Sequence, residues 1–375
     1  MSSDFSFHLE PGLPFSRIEA LWKELDESRA SPFFITWTWL GPWLRLLPGR
    51  FSPRLLRVSR GGQTVAAALL FPRHERRRGF IRASQLHFNS TGDREFDSPM
   101  IEHNGFAGPL GADQRLWAEF VSWFANGNGG ADELVLPGME NGVIEALPAT
   151  SLLKDSRCVP AFRVSLAQLA PKGGLLSSLS RNSRQQLRRA IRDYRTQGAL
   201  SCEEAATPQC ALGYFEALKA LHIRSWKRRG KPNAFRYPFF EQFHRALIAQ
   251  GVPDRAVQLL RISAGSRPIG YLYNFRHGGK IHAYQSGFED GDPAFRPGYI
   301  SHALAIEAAL AEGAEEYDFL AGSNRLKRSF GADVYAMSWC TLQQPKLKFR
   351  IEAAARAIAR RLIGRLPRQA PIRAE

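Results

Sequence analysis

Residues 284–331 read YQSGFEDGDPAFRPGYISHALAIEAALAEGAEEYDFLAGSNRLKRSFG, and their texture changes four times. A strand-like start gives way to a loop broken by Gly and Pro. An Ala- and Leu-rich run from Tyr299 to Glu312 then reads as a helix closed by Gly313. The short apolar run EYDFL follows, and after it a basic segment with glycines. Strand, loop, helix, strand is the order of a crossover connection, which returns the second strand parallel to the first. Asp318 sits inside EYDFL. A carboxylate in a buried strand is costly without partners, so the residue stands out as a candidate for chemistry.

Working outward, Ala256–Ser263 and Pro268–Arg276 flank the turn AGSR with alternating apolar and polar residues, and Lys280–Phe288 follows the turn HGG. The same order occurs earlier: Arg54–Ser59, Gln63–Phe71 and Phe80–Phe88, a polar loop, a helical pattern at Gln114–Phe124 and a short strand at Glu133–Leu136. This repetition predicts an internal duplication. The expected fold is α/β, with two tandem lobes built on mixed, mostly antiparallel sheets: residues 1–164, residues 165–345 and a basic amphipathic tail, residues 346–375. Between the repeats, Ser180–Gln197 reads as a helix, Leu200–Glu204 as a strand, and Leu212–Trp226 and Phe239–Ala249 as helices. Near the start, Ser16 and Glu19 have the spacing of a capping box, and Trp37, Trp39 and Trp43 suit either a core or an aromatic groove.

The chain has 375 residues, 44% of them hydrophobic, enough for more than one core. It contains no apolar run of membrane-spanning length, and its opening lacks the layout of a secretory signal, so a cytoplasmic protein is expected. Cys158, Cys202, Cys210 and Cys340 show no metal-ligand spacing, and no metal is expected. The net charge is +16, concentrated in two places. Residues 172–195 hold seven basic residues against Asp193, and residues 346–375 hold nine against Glu352 and Glu375. Such segments attract phosphates, anionic lipid or RNA, or else serve as solvated helix faces.

The segment 284–331, together with LSRNSRQQLRRAIRDYRTQG, LKALHIRSWKRRG and the aromatic strand YAMSW, resembles the CelD/BcsL-type acyltransferases with a BioF-like domain. These form a branch of the Gcn5-related N-acyltransferase (GNAT) superfamily related to the Fem-type aminoacyl transferases. The resemblance covers about residues 165–345 and implies an acyltransferase that uses acyl-CoA or another thioester as co-substrate. It implies that the donor pyrophosphate rests at the helix start in FRPGYIS, which gives Arg296, Gly298, Tyr299, Ile300 and Ser301 as binding residues. The loop keeps one glycine of the family pattern and lacks the second. The third meander strand is where the family receives the acyl carbonyl, so Tyr284 is a candidate acid and Gln285 and Ser286 are candidate binding residues. Lys327 matches the lysine of a tyrosine–lysine pair, with Leu326 where the tyrosine is expected.

The residues themselves add further candidates. Asp318 is the candidate base. His222 shares a helix face with Trp226, near Arg224, and is a second candidate base. Asp97, Glu102 and His103 lie in a long polar loop that suits an amine or sugar acceptor. The expected partners are therefore an acyl donor and a saccharide or small-molecule acceptor. The basic tail suits an anionic membrane surface, and the basic helix suits tRNA in a Fem-type reaction.

Overall fold

The structure is a computed structural model that describes residues 4–26, 31–77, 81–290, 295–322, 325–330 and 332–363, with only the backbone in 356–363. The end of the basic tail, residues 364–375, lies outside the described residues. The first elements are β1 (Ser6–Pro11), α1 (Phe15–Asp26), α2 (Trp37–Leu46), β2 (Arg54–Arg60), β3 (Gln63–Arg77), β4 (Ile81–Phe88), α3 (Gln114–Ala125), β5 (Glu133–Glu140) and α4 (Asn141–Glu145). Next come β6 (Leu153–Ser165), α5 (Leu175–Ser178), α6 (Arg181–Arg195), β7 (Leu200–Glu204), α7 (Pro208–Arg228) and α8 (Pro238–Gly251). The last are β8 (Val257–Ala264), β9 (Arg267–His277), β10 (Lys280–Phe288), α9 (Pro297–Ala311), β11 (Glu316–Ala321), α10 (Arg325–Ser329), β12 (Asp333–Gln343) and α11 (Leu347–Ile363).

The chain divides into two compact units: residues 1–37, 47–159 and 336–375, and residues 38–46 and 160–335. In the first, the strand order is β1-β2-β3-β4-β5-β12; in the second it is β6-β11-β10-β9-β8-β7. Among the described pairs only β4–β5 and β10–β11 are parallel, and each is joined by a crossover helix, α3 or α9. The mixed, mostly antiparallel α/β architecture expected from the sequence is therefore present, and both units contain a run of three strands, a crossover helix and a parallel strand (β2, β3, β4, α3, β5 and β8, β9, β10, α9, β11).

In the first unit, Asp113 caps α3 by accepting the Arg115 N–H at 2.7 Å, and Leu116, Trp117, Phe120 and Phe124 bury the helix on Leu70, Leu86, Leu134 and Leu342. α1 begins at Phe15, with Pro14 O accepting the first turn, so Ser16 lies inside the helix rather than at its cap. β3 runs six residues past Phe71, because its polar end finds charged partners across the sheet.

In the second unit, α9 is buried almost all round and packs on Leu260, Ile262, Leu272 and Tyr317. α6, capped by Ser180, joins that core through Leu187, Ala190 and Tyr194. The alternate strand positions Leu259, Tyr273 and Phe275 are also buried, and rings from α2 and α8 crowd Phe275 and Tyr284. Trp39 is one of them, 4.8 Å from Phe243 and 2% exposed, which settles it as core.

Candidate active site

The parallel pairing of β10 with β11 lasts three residues and ends at His282 opposite Asp318. Two irregularities then part the strands. β10 shifts register against β9 between Ala283 and Gln285, which puts Tyr284 in a bulge. β11 shifts against β6 between Asp318 and Ala321, and within that shift Leu320 takes φ +60°. A branched side chain in the left-handed region costs about 1 kcal/mol or more and persists only where its surroundings hold it. β10 continues to Phe288 along β9 while β11 leaves, so an opening forms on the β11 side of β10. An extended ligand can pair with strand backbone at such an opening.

Asp318 borders that opening and is 1% exposed. Its Oδ1 accepts the Leu320 N–H at 2.8 Å, and the Tyr335 hydroxyl lies 2.8 Å from each carboxylate oxygen. His282 Nδ1 lies 3.5 Å from Asp318 Oδ2. His282 and Tyr335 carry the same claim to function as Asp318, and sequence reasoning missed both. The usable signal for His282 was its register: in a parallel pair, the third residue of LysIleHis faces the third of GluTyrAsp. Tyr335 offered only its place in the aromatic final strand. Lys327 donates to the carbonyls of Leu320 at 3.1 Å and Ala321 at 2.8 Å, which ties α10 to the bulge.

Tyr284 packs among Trp39, Tyr273 and Phe275, with its ring 5.0 Å from Phe275. Gln285 and Ser286 follow it on β10, and the Ser286 carbonyl accepts a hydrogen bond from His222 Nδ1 at 3.1 Å. A carbonyl only accepts, so the proton of His222 is on Nδ1. Burial lowers the pKa of His222 and keeps the ring neutral. The ring stacks on Trp226 at 5.5 Å. Arg224 is exposed and lies 4.0 Å from Asp290.

Arg296 is the N-cap residue before α9; its φ of +51° makes the turn and its side chain provides no cap. The Gly298 N–H has no hydrogen-bond partner among the described residues, while the N–H groups of Tyr299 and Ile300 bond to Arg296 O. A free N–H at the positive end of a helix suits an anion. A Cβ on Gly298 would lie 3.0 Å from Phe288 and 3.2 Å from Leu326, so glycine lets the helix start lie close to β10 and α10. The side chains of Tyr299 and Ile300 are core: Tyr299 donates to Ser183 O at 3.2 Å, and Ile300 is fully buried. Any role for these two in binding a ligand falls to their backbone. Ser301 Oγ is buried with no hydrogen-bond partner among the described residues.

In the first unit, Asp97 accepts hydrogen bonds from the N–H groups of Thr91 and Gly92 and from the Thr91 hydroxyl, which shapes its loop. Burial pushes its pKa up to about 6 despite these bonds. His103, at φ +48°, lies 2.8 Å from Glu140 through Nδ1, and Glu102 is buried beside it in sequence. The structure thus draws Asp318, His282, Tyr335 and Lys327 together around one bulge. Tyr284, Gln285 and Ser286 lie along the adjoining strand, and Gly298 lies at the start of the crossover helix.

Comparison with known proteins agrees with the fold. Residues 181–328 match the family described as acetyltransferase (GNAT) domain. The structure of FemX superposes with a TM-score of 0.56 at 11% identity, covering 93% of this chain and 99% of that one. A C-terminal domain of the DUF2156 type from Agrobacterium fabrum superposes at 0.53 with 8% identity, covering 92% and 97%. At these identities the likeness is one of fold. No curated protein matches the chain in sequence. The match over residues 181–328 indicates an acyltransferase enzyme, and a GNAT domain implies an acyl-CoA donor.

Proposed function

We propose that the chain moves an acyl group from acyl-CoA, or a related thioester, to an amine or hydroxyl on a saccharide or similar metabolite. The observation that carries this reading is the buried Asp318 carboxylate, with His282 at 3.5 Å, beside the opening between β10 and β11. In such a reaction the acceptor loses a proton, its nitrogen or oxygen bonds to the thioester carbonyl carbon, the C–S bond breaks, and the thiolate takes up a proton. His282, oriented by Asp318, takes the acceptor proton. Tyr335 holds the carboxylate through its hydroxyl. Tyr284, in the β10 bulge, supplies a hydroxyl toward the thioester, and Gln285 and Ser286 line the donor path. The Gly298 N–H, without a hydrogen-bond partner among the described residues, and the Arg296 side chain hold the donor phosphates. Arg224 and Trp226 of α7 stand as acceptor contacts. The reaction belongs in the cytoplasm, with the basic tail against the inner membrane surface.

The test is steady-state acyl transfer from a panel of acyl-CoAs to amino and hydroxyl saccharides, with wild type and Asp318→Asn. A thioester-dependent product that the variant forms at least 100-fold more slowly supports the reading; no turnover of any thioester sinks it. One observation favours a second reading, an aminoacyl-tRNA donor. Arg181, Arg184, Arg188, Arg189 and Arg192 of α6 line a groove of about 450 Å³. Salt-sensitive binding of charged tRNA, together with no retention of acyl-CoA, would select it.

A further inference from the structure

The arginines of α6 stand where helix chemistry disfavours them. The helix runs for 15 residues, Arg181–Arg195, with no acidic residue in its first turn. Arg181 and Arg184 occupy that turn, at the positive end of the helix dipole. Arg184, Arg188 and Arg192 follow one another at intervals of four, so like charges repel along one face. A single carboxylate answers them among the described residues: Asp193, 3.6 Å from Arg189 and 3.7 Å from Arg192. Arg181, Arg188 and Arg195 are exposed and have no ionic partner among the described residues. The helix forms because Leu187, Ala190 and Tyr194 are buried on its other side. A face that served only solvation would mix the two signs; this one keeps a single sign at a cost to its own helix.

What the face lacks narrows its partner. Five arginines and Gln185 line the groove, with no aromatic side chain, so unpaired bases find no stacking platform. The apolar residues Leu187, Ala190 and Tyr194 are 1% exposed or less, so they are not available to enter a bilayer. The positive charge is also one helix wide: α5 before it reads LLSS, and β7 after it ends in Glu203 and Glu204. Charges at rises of about 4.5–6 Å, along an axis of about 22 Å, match carboxylates at the same spacing on a second helix laid alongside. α6 also borders the place proposed for the donor phosphates. Gln186 Oε1 accepts from the Arg296 guanidinium, and the Ser183 carbonyl accepts from the Tyr299 hydroxyl at 3.2 Å. The arginine face therefore lies within about one helix diameter, 10–12 Å, of the start of α9.

We infer that α6 docks an acidic helix of a carrier protein that brings the acyl group as a thioester on a phosphopantetheine arm. The inference rests on the acyl-transfer reading and names the partner that delivers the donor. Carboxylates of the carrier helix pair with the arginines of α6, and the phosphate of the arm reaches the start of α9.

Titration calorimetry of the full chain with a holo acyl carrier protein that holds no acyl group tests this. No turnover is needed, so a failure here leaves transfer from acyl-CoA standing. Duplex RNA and vesicles of anionic phospholipid are the competing probes. The carrier is expected to bind saturably, more tightly than either competitor, and more weakly as salt is raised. Arg181→Glu combined with Arg188→Glu should weaken it at least 10-fold. Neither arginine has an ionic partner to lose among the described residues, and a glutamate in the first turn suits the helix dipole, so the fold should hold. Arg188→Gln alone should weaken binding about threefold and keeps the test decisive if the double variant fails to fold. No saturable binding of the carrier, tighter binding of the RNA or of the vesicles, or an affinity unchanged in the folded variants overturns the inference.

Discussion

Asp318 and Lys327 grip the same residue from its two ends. The carboxylate takes the N–H of Leu320 at 2.8 Å, and the ammonium donates to the Leu320 carbonyl at 3.1 Å. Leu320 holds φ +60° between them, at the point where β11 abandons the register of β6. The opening beside β10 therefore depends on two charged side chains that hold a strained residue in place. The aspartate and the lysine serve one bulge, and the two should fail differently when replaced.

Asp318→Asn keeps an acceptor oxygen for Leu320 N–H and for Tyr335, so the fold should survive with a change in Tm of only a few degrees. It removes the negative charge that orients His282. Acyl transfer should fall about 100-fold or more in kcat, the range expected on loss of a general base or its partner. A rate within threefold of wild type would place the chemistry elsewhere.

Lys327→Met removes two charge-assisted bonds to carbonyls and frees the bulge. A loss of about 2 kcal/mol is expected, or a Tm roughly 4–8 °C lower for a unit of this size. Hydrogen exchange should quicken at the amides of residues 319–322 before it does so in β8 or β9. If the amides of β8 and β9 exchange first, the lysine is not the clamp.

Gly287→Ala probes the other wall. A Cβ there would lie 2.5 Å from the Leu218 carbonyl of α7, beside the bond from His222 to Ser286. The contact is backbone, so α7 must shift, and overpacking of this kind costs about 1–3 kcal/mol. Calorimetry should show the loss, and the His222 ring resonances should move. Unchanged stability would mean that α7 is not seated on β10.

Much of this was legible in the sequence where burial is one-sided. The alternation in residues 256–288 and the long apolar helix before EYDFL placed β8, β9, β10, α9 and β11 within two residues or so, because each buries one face or one whole surface. The polar end of β3 was not readable: PRHERR looks like a turn until Glu133 and Gln85 are known to lie across from it. β6 was missed for a related reason, since its polar first half, LKDSR, has no apolar face to show. The site followed the same division. Asp318 stood out as a charge in an apolar strand, whereas Tyr335 reaches it through pairing across 17 positions that no local pattern records. His282 looked like any strand histidine until its register opposite Asp318 was known.

His302 makes the acid limit of stability a local property of the crossover helix. It is buried, its Nδ1 lies 2.9 Å from the Tyr317 hydroxyl, and its ring packs 5.1 Å from Phe319. Burial first, then the charge of Lys327, brings its pKa down to about 3. The unfolded chain, with an ordinary histidine pKa near 6.5, binds more protons than the folded one between those values. Stability therefore rises with pH across that window; this contribution is complete above about pH 6.5 and is lost as pH falls toward 3. From pH 6.5 to 5 the loss amounts to about 2 kcal/mol, on the order of 4–8 °C in Tm. His87, His222 and His244, all shifted downward, act in the same direction, so the wild-type slope exceeds what His302 supplies. His302→Gln keeps a polar partner for Tyr317 and cannot titrate. It should start from a lower Tm at pH 7.5 yet lose about 4–8 °C less than wild type on acidification to pH 5. Parallel Tm curves for the two proteins would mean that His302 is already protonated, or exposed, in the folded state.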